Sequence, residues 1–342
     1  MKILFAGKDD FTYNRTIILR AGLGKIPEVE ISLFNYKAGF DQDRWKKEEA
    51  WADVVYIPPL RHGDVAFVRK RTQKPIIFDP LISKYLTRTG DHGKWWTSWE
   101  KKWRDRMGTN NSDWLIMDTK AHLDWMVNAY NFNPQKTGIV PIGADVEKFK
   151  PEPKTNSDKF QVGFYGGFVP LQGVDRIVQC AKMLEQEKDI QFDIIGYGPF
   201  YKKVKALASK LQVQNVDFKG WVQYEELNKS LNNFDLALGV FGTSLKTDLV
   251  IPNKIYHYAA MKTCIVTKDT PGIRENFVDG ENIVLTQNSP EKIAEKIMEL
   301  KADSQKRERI AANGYELVRD HYNEDVVAGA FIQVARKAVT ST

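Results

Sequence analysis

Gln161-Val-Gly-Phe-Tyr-Gly-Gly-Phe-Val-Pro-Leu-Gln-Gly-Val-Asp175 is the stretch on which the fold turns. An apolar run of strand character, Gln161 to Tyr165, stops at Gly166-Gly167. A short loop follows, and from Val174 the apolar positions 174, 177, 178, 181 and 184 share one helical face. Strand, glycine turn and helix make a βα unit. The turn sets backbone N–H groups at a helix start, where an anion is stabilised. The spacing is neither a Walker loop nor a full Gly-x-Gly-x-x-Gly, and a plain tight turn accounts for the paired glycines equally well.

The same rhythm continues outward. Strands are expected near 190–195, 215–218, 235–239 and 263–267, and helices near 291–301, 304–318 and 325–339. Towards the start, Lys150-Pro-Glu-Pro-Lys-Thr-Asn-Ser-Asp-Lys159 breaks the pattern as a polar, proline-rich linker. Before it, strands are expected near 2–6, 29–34, 53–57, 75–78 and 114–117, with helices near 12–24, 61–71, 94–107 and 120–130. The expectation is an α/β protein of two Rossmann-like domains facing across a cleft, residues 1–150 and 151–324, with a helix over 325–342 packing back on the first. Ligands of such sheets sit at the carboxyl ends of the strands.

At 342 residues the chain is long enough for two domains, and 42% hydrophobic with 27% charged residues is ordinary for a globular protein. No apolar run approaches the roughly 20 residues that span a bilayer. Met1-Lys-Ile-Leu-Phe-Ala-Gly7 is followed at once by Lys8, Asp9 and Asp10, so it reads as a buried strand and not a signal peptide. Cys180 and Cys264 lie in apolar stretches without metal or disulfide spacing, so the expected compartment is the cytoplasm. The net charge of +6 favours anionic partners, but no nucleic-acid motif is present and none is expected as a partner.

Two further segments converge with the first. Ile194-Ile-Gly-Tyr-Gly-Pro199 is again a strand ending in glycines, either a turn or a place where backbone meets a ligand at Gly196. In Val250-Ile-Pro-Asn-Lys-Ile-Tyr-His-Tyr-Ala-Ala-Met261, Asn253 is placed to cap a helix with Pro252 just outside it. Lys254 then falls in the first turn, where the helix dipole disfavours a cation unless an anion lies between them. An exposed lysine costing a few tenths of a kcal/mol is the competing reading.

Taken in order, Gly-Gly-x-x-Pro-x-x-Gly-Val-Asp, Ile-Gly-x-Gly-Pro and Pro-Asn-Lys-x-Tyr-x-Tyr-Ala-Ala-Met resemble the retaining family-four glycosyltransferases of the GT-B fold. Glu275-Asn-Phe-Val-Asp-Gly-Glu-Asn282 is similar to the family's Glu, Asp-Gly, Asn pattern. More loosely, Asp9-Asp-Phe-Thr-Tyr-Asn-Arg15 resembles its first-strand loop, and Ile142-Gly-Ala-Asp-Val-Glu-Lys-Phe149 the segment before its linker. The resemblance implies a nucleotide-diphosphate-sugar substrate on the C-terminal domain, held by Gly166, Gly167, Gln172, Gly173, Gly196, Lys246, Pro252, Asn253, Lys254 and Tyr258. It implies a carbohydrate or lipid-linked glycan acceptor on the N-terminal side, near Asp9, Asp10, Tyr13 and Arg15, with retention of anomeric configuration and neither metal nor cofactor. Asp79, Lys254 and His257 are the candidate catalytic residues; Arg15 is placed to reach the diphosphate, or is an exposed helix arginine. Asp79 stands at a strand end in Phe78-Asp-Pro80, where an Asx turn competes with a role on a sugar hydroxyl. Asp41-Gln-Asp43 is read as solvated, loop-like surface and no metal site.

Two departures from that pattern and one unusual stretch stand out. Relatives often carry Arg and Lys where this chain has Gly167 and Gln172, and a Glu pair where it has Leu249 and His257. Lys246 and Lys254 are the cations at hand to replace them, and a catalytically silent nucleotide-sugar-binding or assembly protein is the alternative. The unusual stretch is Lys94-Trp-Trp-Thr-Ser-Trp-Glu-Lys-Lys-Trp-Arg-Asp-Arg-Met107. On a helix, Trp95, Trp99, Trp103 and Met107 form a stripe with Trp96 beside it and cations around it. Three readings fit: packing on the sheet, a wall for a sugar acceptor, or peripheral contact with an anionic membrane at the inner face. His62, His92, His122 and His321 have no ligand spacing and are read as structural.

Overall fold

The computed structural model describes residues 1–91, 95–155 and 157–341, and of Trp95, Tyr224 and Glu225 the backbone only. His92 and the expected helix start at Lys94 therefore lie outside the described residues. The chain forms two compact units, Met1–Gly143 with Tyr322–Thr342, and Ala144–His321.

In the first unit, β1 (Lys2–Gly7), β2 (Glu30–Asn35), β3 (Val54–Ile57), β4 (Ile76–Phe78), β5 (Trp114–Met117) and β6 (Thr137–Ile139) make one sheet in the order β2-β1-β3-β4-β5-β6, every pair parallel. Its central strands are buried at every position, which is why they read as continuous apolar runs instead of alternating ones. The helices are α1 (Asn14–Leu23), α2 (Gln42–Trp51), α3 (His62–Arg69), α4 (Lys84–Leu86), α5 (Ser98–Asn110) and α6 (Lys120–Tyr130). Helix α2 corrects the loop expected around Asp41-Gln-Asp43. The Asp41 carboxylate accepts from the N–H groups of Asp43 and Arg44 as an N-cap, and Trp45 anchors the helix in the core.

The second unit repeats the plan. Strands β7 (Phe160–Tyr165), β8 (Ile190–Ile195), β9 (Val216–Gly220), β10 (Leu236–Leu238), β11 (Cys264–Lys268) and β12 (Val284–Thr286) run parallel in the order β12-β11-β10-β7-β8-β9. Its helices are α7 (Val174–Met183), α8 (Tyr201–Lys210), α9 (Tyr224–Leu231), α10 (Leu245–Leu249), α11 (Asn253–Ala260), α12 (Pro271–Arg274), α13 (Pro290–Ala302) and α14 (Ser304–His321). Strand order reverses between β7 and β10, so the loops after those two strands meet at the switch point. Phe241 and Gly242 after β10 donate their N–H groups to the carbonyls of Gln172 and Leu171 after β7.

The division falls before the Lys150–Lys159 linker, not inside it. Phe149 stacks on His257, and the N–H groups of Lys150 and Glu152 donate to Asn228 and Asn232, so this segment belongs to the second unit. The last helix, α15 (Glu324–Thr340), packs along α1 in the first unit. A Cβ at Gly22 of α1 would lie 2.0 Å from the Glu324 carbonyl oxygen, so only glycine permits that approach. Among the described residues no helix is long and apolar enough to cross a membrane.

Candidate functional site

The switch point of the second unit gathers most of the residues expected to hold a donor. Pro170–Gln172 forms a 3-10 turn that ends at Gly173, whose φ of 66° and position against the Phe241 carbonyl both require glycine. Gly173 is also the N-cap of α7, with no side-chain cap, and α11 likewise starts without one. Both helix starts therefore present backbone N–H groups that no side chain satisfies. The structure moves the α11 cap by one residue: Pro252 is the capping position and Asn253 the first helical residue.

Lys254 is 3% exposed, and its ammonium is the most informative group of the unit. Nζ donates to the Gln172 side-chain carbonyl at 2.6 Å and lies 3.5 Å from the centre of the Phe164 ring. No carboxylate is ion-paired with it among the described residues. Burial drives its pKa well below the usual lysine value. A Cβ on Gly166 would fall 2.8 Å from Nζ, and Gly166, at φ 151°, is in a conformation that suits glycine. Gln172 is thus the hydrogen-bond partner of the lysine. Gly167 is exposed in the same loop. Gly196 has an internal explanation, since a Cβ there would meet the Gly166 carbonyl oxygen at 2.0 Å. Lys246 is buried on α10, which packs against the Pro170–Gln172 turn.

His257 lies one turn further along α11, fully enclosed. Its ring stacks on Phe149 at 3.8 Å, and Nδ1 shares a hydrogen bond with the Tyr165 hydroxyl at 2.5 Å. Burial, with a smaller contribution from Lys148, pushes the imidazole down to about 3, so the ring is neutral. Tyr258 is buried as well, and its hydroxyl accepts the Tyr165 N–H at 2.8 Å, tying α11 to the end of β7. It supports the loop instead of lining it. Phe149, Phe164 and Tyr165 were not singled out by sequence; the available signal was two aromatic residues at a strand end just before Gly166. A cavity of about 470 Å³ is lined by Val169, Pro170, Arg176 and Lys203 among others, and not by Lys254.

The candidates of the first unit form a different arrangement. Asp79 is fully buried; it receives the Arg15 guanidinium, the Tyr56 hydroxyl at 2.9 Å and the Leu81 N–H at 3.0 Å. Arg15 is 1% exposed and also donates to the Val140 carbonyl at 2.8 Å. Neither side chain presents itself to a solvent-borne sugar, which corrects the roles expected for both: they form an internal ion pair closing an Asx turn. Asp9 pairs with Arg61 at 2.7 Å and accepts the Phe11 N–H. Asp10 is exposed, held below the usual carboxylate range by Lys37 and Asn35. Tyr13, partly exposed, caps α1 in an extended conformation. Among the described residues no group of three or more His, Cys, Asp or Glu is placed to hold a metal ion.

Residues 145–317 match the family model described as glycosyl transferases group 1. The chain is 27% identical over 234 residues to the uncharacterized glycosyltransferase MJ1178 of Methanocaldococcus jannaschii, a match covering 66% of this chain and 60% of that protein. It is 23% identical over 223 residues to MJ1069 of the same organism, covering 62% of this chain and 55% of that one. It thus spans less than two thirds of the length of these relatives. In architecture it is similar to sucrose-phosphate synthase from Thermosynechococcus elongatus, with a TM-score of 0.80, 12% identity and coverage of 100% and 99%. It is likewise similar to Anabaena Alr3699/HepE crystallised with UDP and glucose, with a TM-score of 0.75, 13% identity and coverage of 98% and 100%.

Proposed function

The chain belongs to the glycosyl transferases group 1 family, and from that premise we propose that it moves a sugar from a nucleotide-diphosphate-sugar donor to a carbohydrate or lipid-linked glycan acceptor. The observation that carries the reading is Lys254, an enclosed ammonium without an ion-paired carboxylate among the described residues, held at the glycine turn of the switch point. An anionic diphosphate there supplies the missing countercharge, with backbone N–H groups at the starts of α7 and α11, which no side chain caps, as further donors. In this proposal catalysis rests on stabilising the departing diphosphate and placing the acceptor hydroxyl, with retention of configuration and without metal. The acceptor is assigned to the first unit and the site of action to the cytoplasm. A lipid-linked acceptor would bring the enzyme to a membrane surface, and the tryptophans of α5 are the part of the chain suited to that contact.

A second reading, donor binding without transfer, is favoured by one observation. The two positions where relatives carry Glu are Leu249 and His257, both buried and neither a carboxylate. A thermal-shift panel of UDP-, GDP-, ADP- and CMP-sugars tests the first premise, because saturation at about 100 times Kd adds about 2.7 kcal/mol. One donor class should stabilise the protein, and Lys254→Ala should weaken that donor at least tenfold. No shift with any donor overturns the transferase; unchanged affinity in the variant removes Lys254 from the site. Slow release of free sugar from the bound donor into water separates transfer from silent binding.

A further inference from the structure

Helix α5 packs inward through Ser98, Asp105, Gly108 and Thr109, small or polar residues on one face. Asp105 holds that face down. Its carboxylate accepts from the Ser83 hydroxyl at 2.6 Å, the Tyr130 hydroxyl at 2.8 Å and the backbone N–H groups of Lys84 and Tyr85, with His62 Nε2 at 3.1 Å. Burial alone would raise this carboxyl; the neighbouring His62 ring first, then the Ser83 hydroxyl and the Tyr85 N–H, hold it below the ordinary value. With Asp105 inside, the helical repeat turns positions 99 and 103 away from the packed face, and Trp96, in the 3-10 turn (Trp95–Thr97) just before α5, is exposed as well. Trp96 is 59% exposed, Trp99 73% and Trp103 57%, whereas Trp45 and Trp114 of the core are 2% and 4%. The reading in which the stripe packs on the sheet is therefore overturned for these three; the Trp95 side chain lies outside the described residues. At roughly 150–250 Å² of surface per aromatic residue, they leave on the order of 300–450 Å² of indole in water, comparable to the largest apolar patch of a typical monomer, which is often functional.

Cations flank the stripe. Lys102, Arg104 and Arg106 are exposed and Lys101 is half-buried. Glu100 is paired with Lys101 and Arg104, while Lys102 and Arg106 have no ion-pair partner among the described residues. The excess is felt next door. The Lys84 ammonium is pushed below its usual value by burial and by Arg104, Lys101 and Arg61 despite Asp105. A further cation on this face is therefore disfavoured and an anion favoured.

We infer that the outer face of α5 is a docking surface for an anionic lipid bilayer, with the indoles of Trp96, Trp99 and Trp103 entering the headgroup region and the flanking Lys and Arg side chains facing acidic headgroups. Indole suits this depth because its ring is apolar and its N–H still finds water or phosphate oxygen. The rigid anchoring at Asp105 keeps the stripe outward before any contact, so binding costs little ordering. Each cation near an acidic surface is worth about fivefold in affinity, a contribution that salt weakens. This inference stands on the helix alone and does not depend on donor chemistry.

The test is flotation of the full chain with vesicles of phosphatidylcholine containing phosphatidylglycerol, and with phosphatidylcholine alone, at low and at 0.5 M salt, as an order-of-magnitude contrast in screening. The protein should float with the acidic vesicles at low salt, less at high salt, and poorly with neutral ones. Trp96→Ser/Trp99→Ser/Trp103→Ser and Lys102→Glu/Arg106→Glu should each reduce binding at least tenfold. Circular dichroism and the nucleotide-sugar thermal shift should stay unchanged in both variants, which keeps a failure here distinct from a failure of the donor reading. Absence of flotation at low salt overturns the inference, as does flotation that the tryptophan variant retains. Without vesicle binding, a tryptophan-dependent affinity for a soluble oligosaccharide or a tryptophan-dependent dimer in light scattering assigns the face to a glycan or to a second copy.

Discussion

His257 shows how one enclosed side chain makes stability depend on pH. Its folded pKa, near 3, lies below the ordinary value of 6.5. Below pH 6.5 the unfolded chain therefore takes up a proton that the folded ring refuses, and stability falls as the solution is acidified towards the folded pKa. At pH 5 this amounts to about 2 kcal/mol. Urea titrations of the second unit at pH 7 and pH 5, followed by hydrogen exchange, should show that loss in the wild type and a smaller one in His257→Gln. Equal losses would clear His257 of the effect. At this scale the sequence was informative where chemistry follows from local position. Lys254 in a first turn is anomalous on any helix, and the enclosed ammonium is found there. Arg15 and Asp79 were not legible, because the partners lie 64 residues apart and spacing says nothing about such a pairing.

Elements were legible where their apolar residues formed one face or an unbroken run. The ten-residue α7 announces itself by its apolar face, and the three-residue β4 and β10 by buried apolar runs, whereas β6, Thr-Gly-Ile, is not buried and α2, with Trp45 its one buried side chain, presents no apolar face. For α5 the repeat predicted a stripe but not which side of the helix faces in; the buried carboxylate of Asp105 decides that, and a charged residue is an improbable anchor to choose from sequence. The contact between α1 and α15 yields a paired prediction. Gly22→Ala should destabilise the first unit by about 1–3 kcal/mol, since the added methyl meets the Glu324 carbonyl. Gly329→Ala on α15, where a Cβ meets nothing within 4 Å, should stabilise it by about 0.5–1 kcal/mol. Thermal melts of the two variants check both signs; a tolerated Gly22→Ala would mean that the helices are free to separate.

The division of the whole chain makes the first unit discontinuous: its sheet is built from the start of the sequence and covered by α15 from the end. Phe331 packs edge-on against Tyr56 at 5.2 Å, and Val327, Ile332, Val334 and Ala335 join the same core. A chain stopped after His321 should therefore lose the fold of the first unit while the second keeps its nucleotide-sugar thermal shift. Eight of the nine tryptophans, all but Trp221, belong to the first unit, so fluorescence reports on it almost alone. An unaltered emission spectrum in the shortened chain would show that α15 is dispensable. The sequence supplied the two halves, but the placement of the last helix required the three-dimensional contact at Gly22. The same arrangement sets an order of events on the ribosome. Strands β1 to β6 emerge first, yet their covering helix is translated only after the entire second unit, roughly 10–40 seconds later at about 5–20 residues per second. The portion of the protein made earliest is thus completed last, and during that interval its apolar sheet face is the natural client of a chaperone.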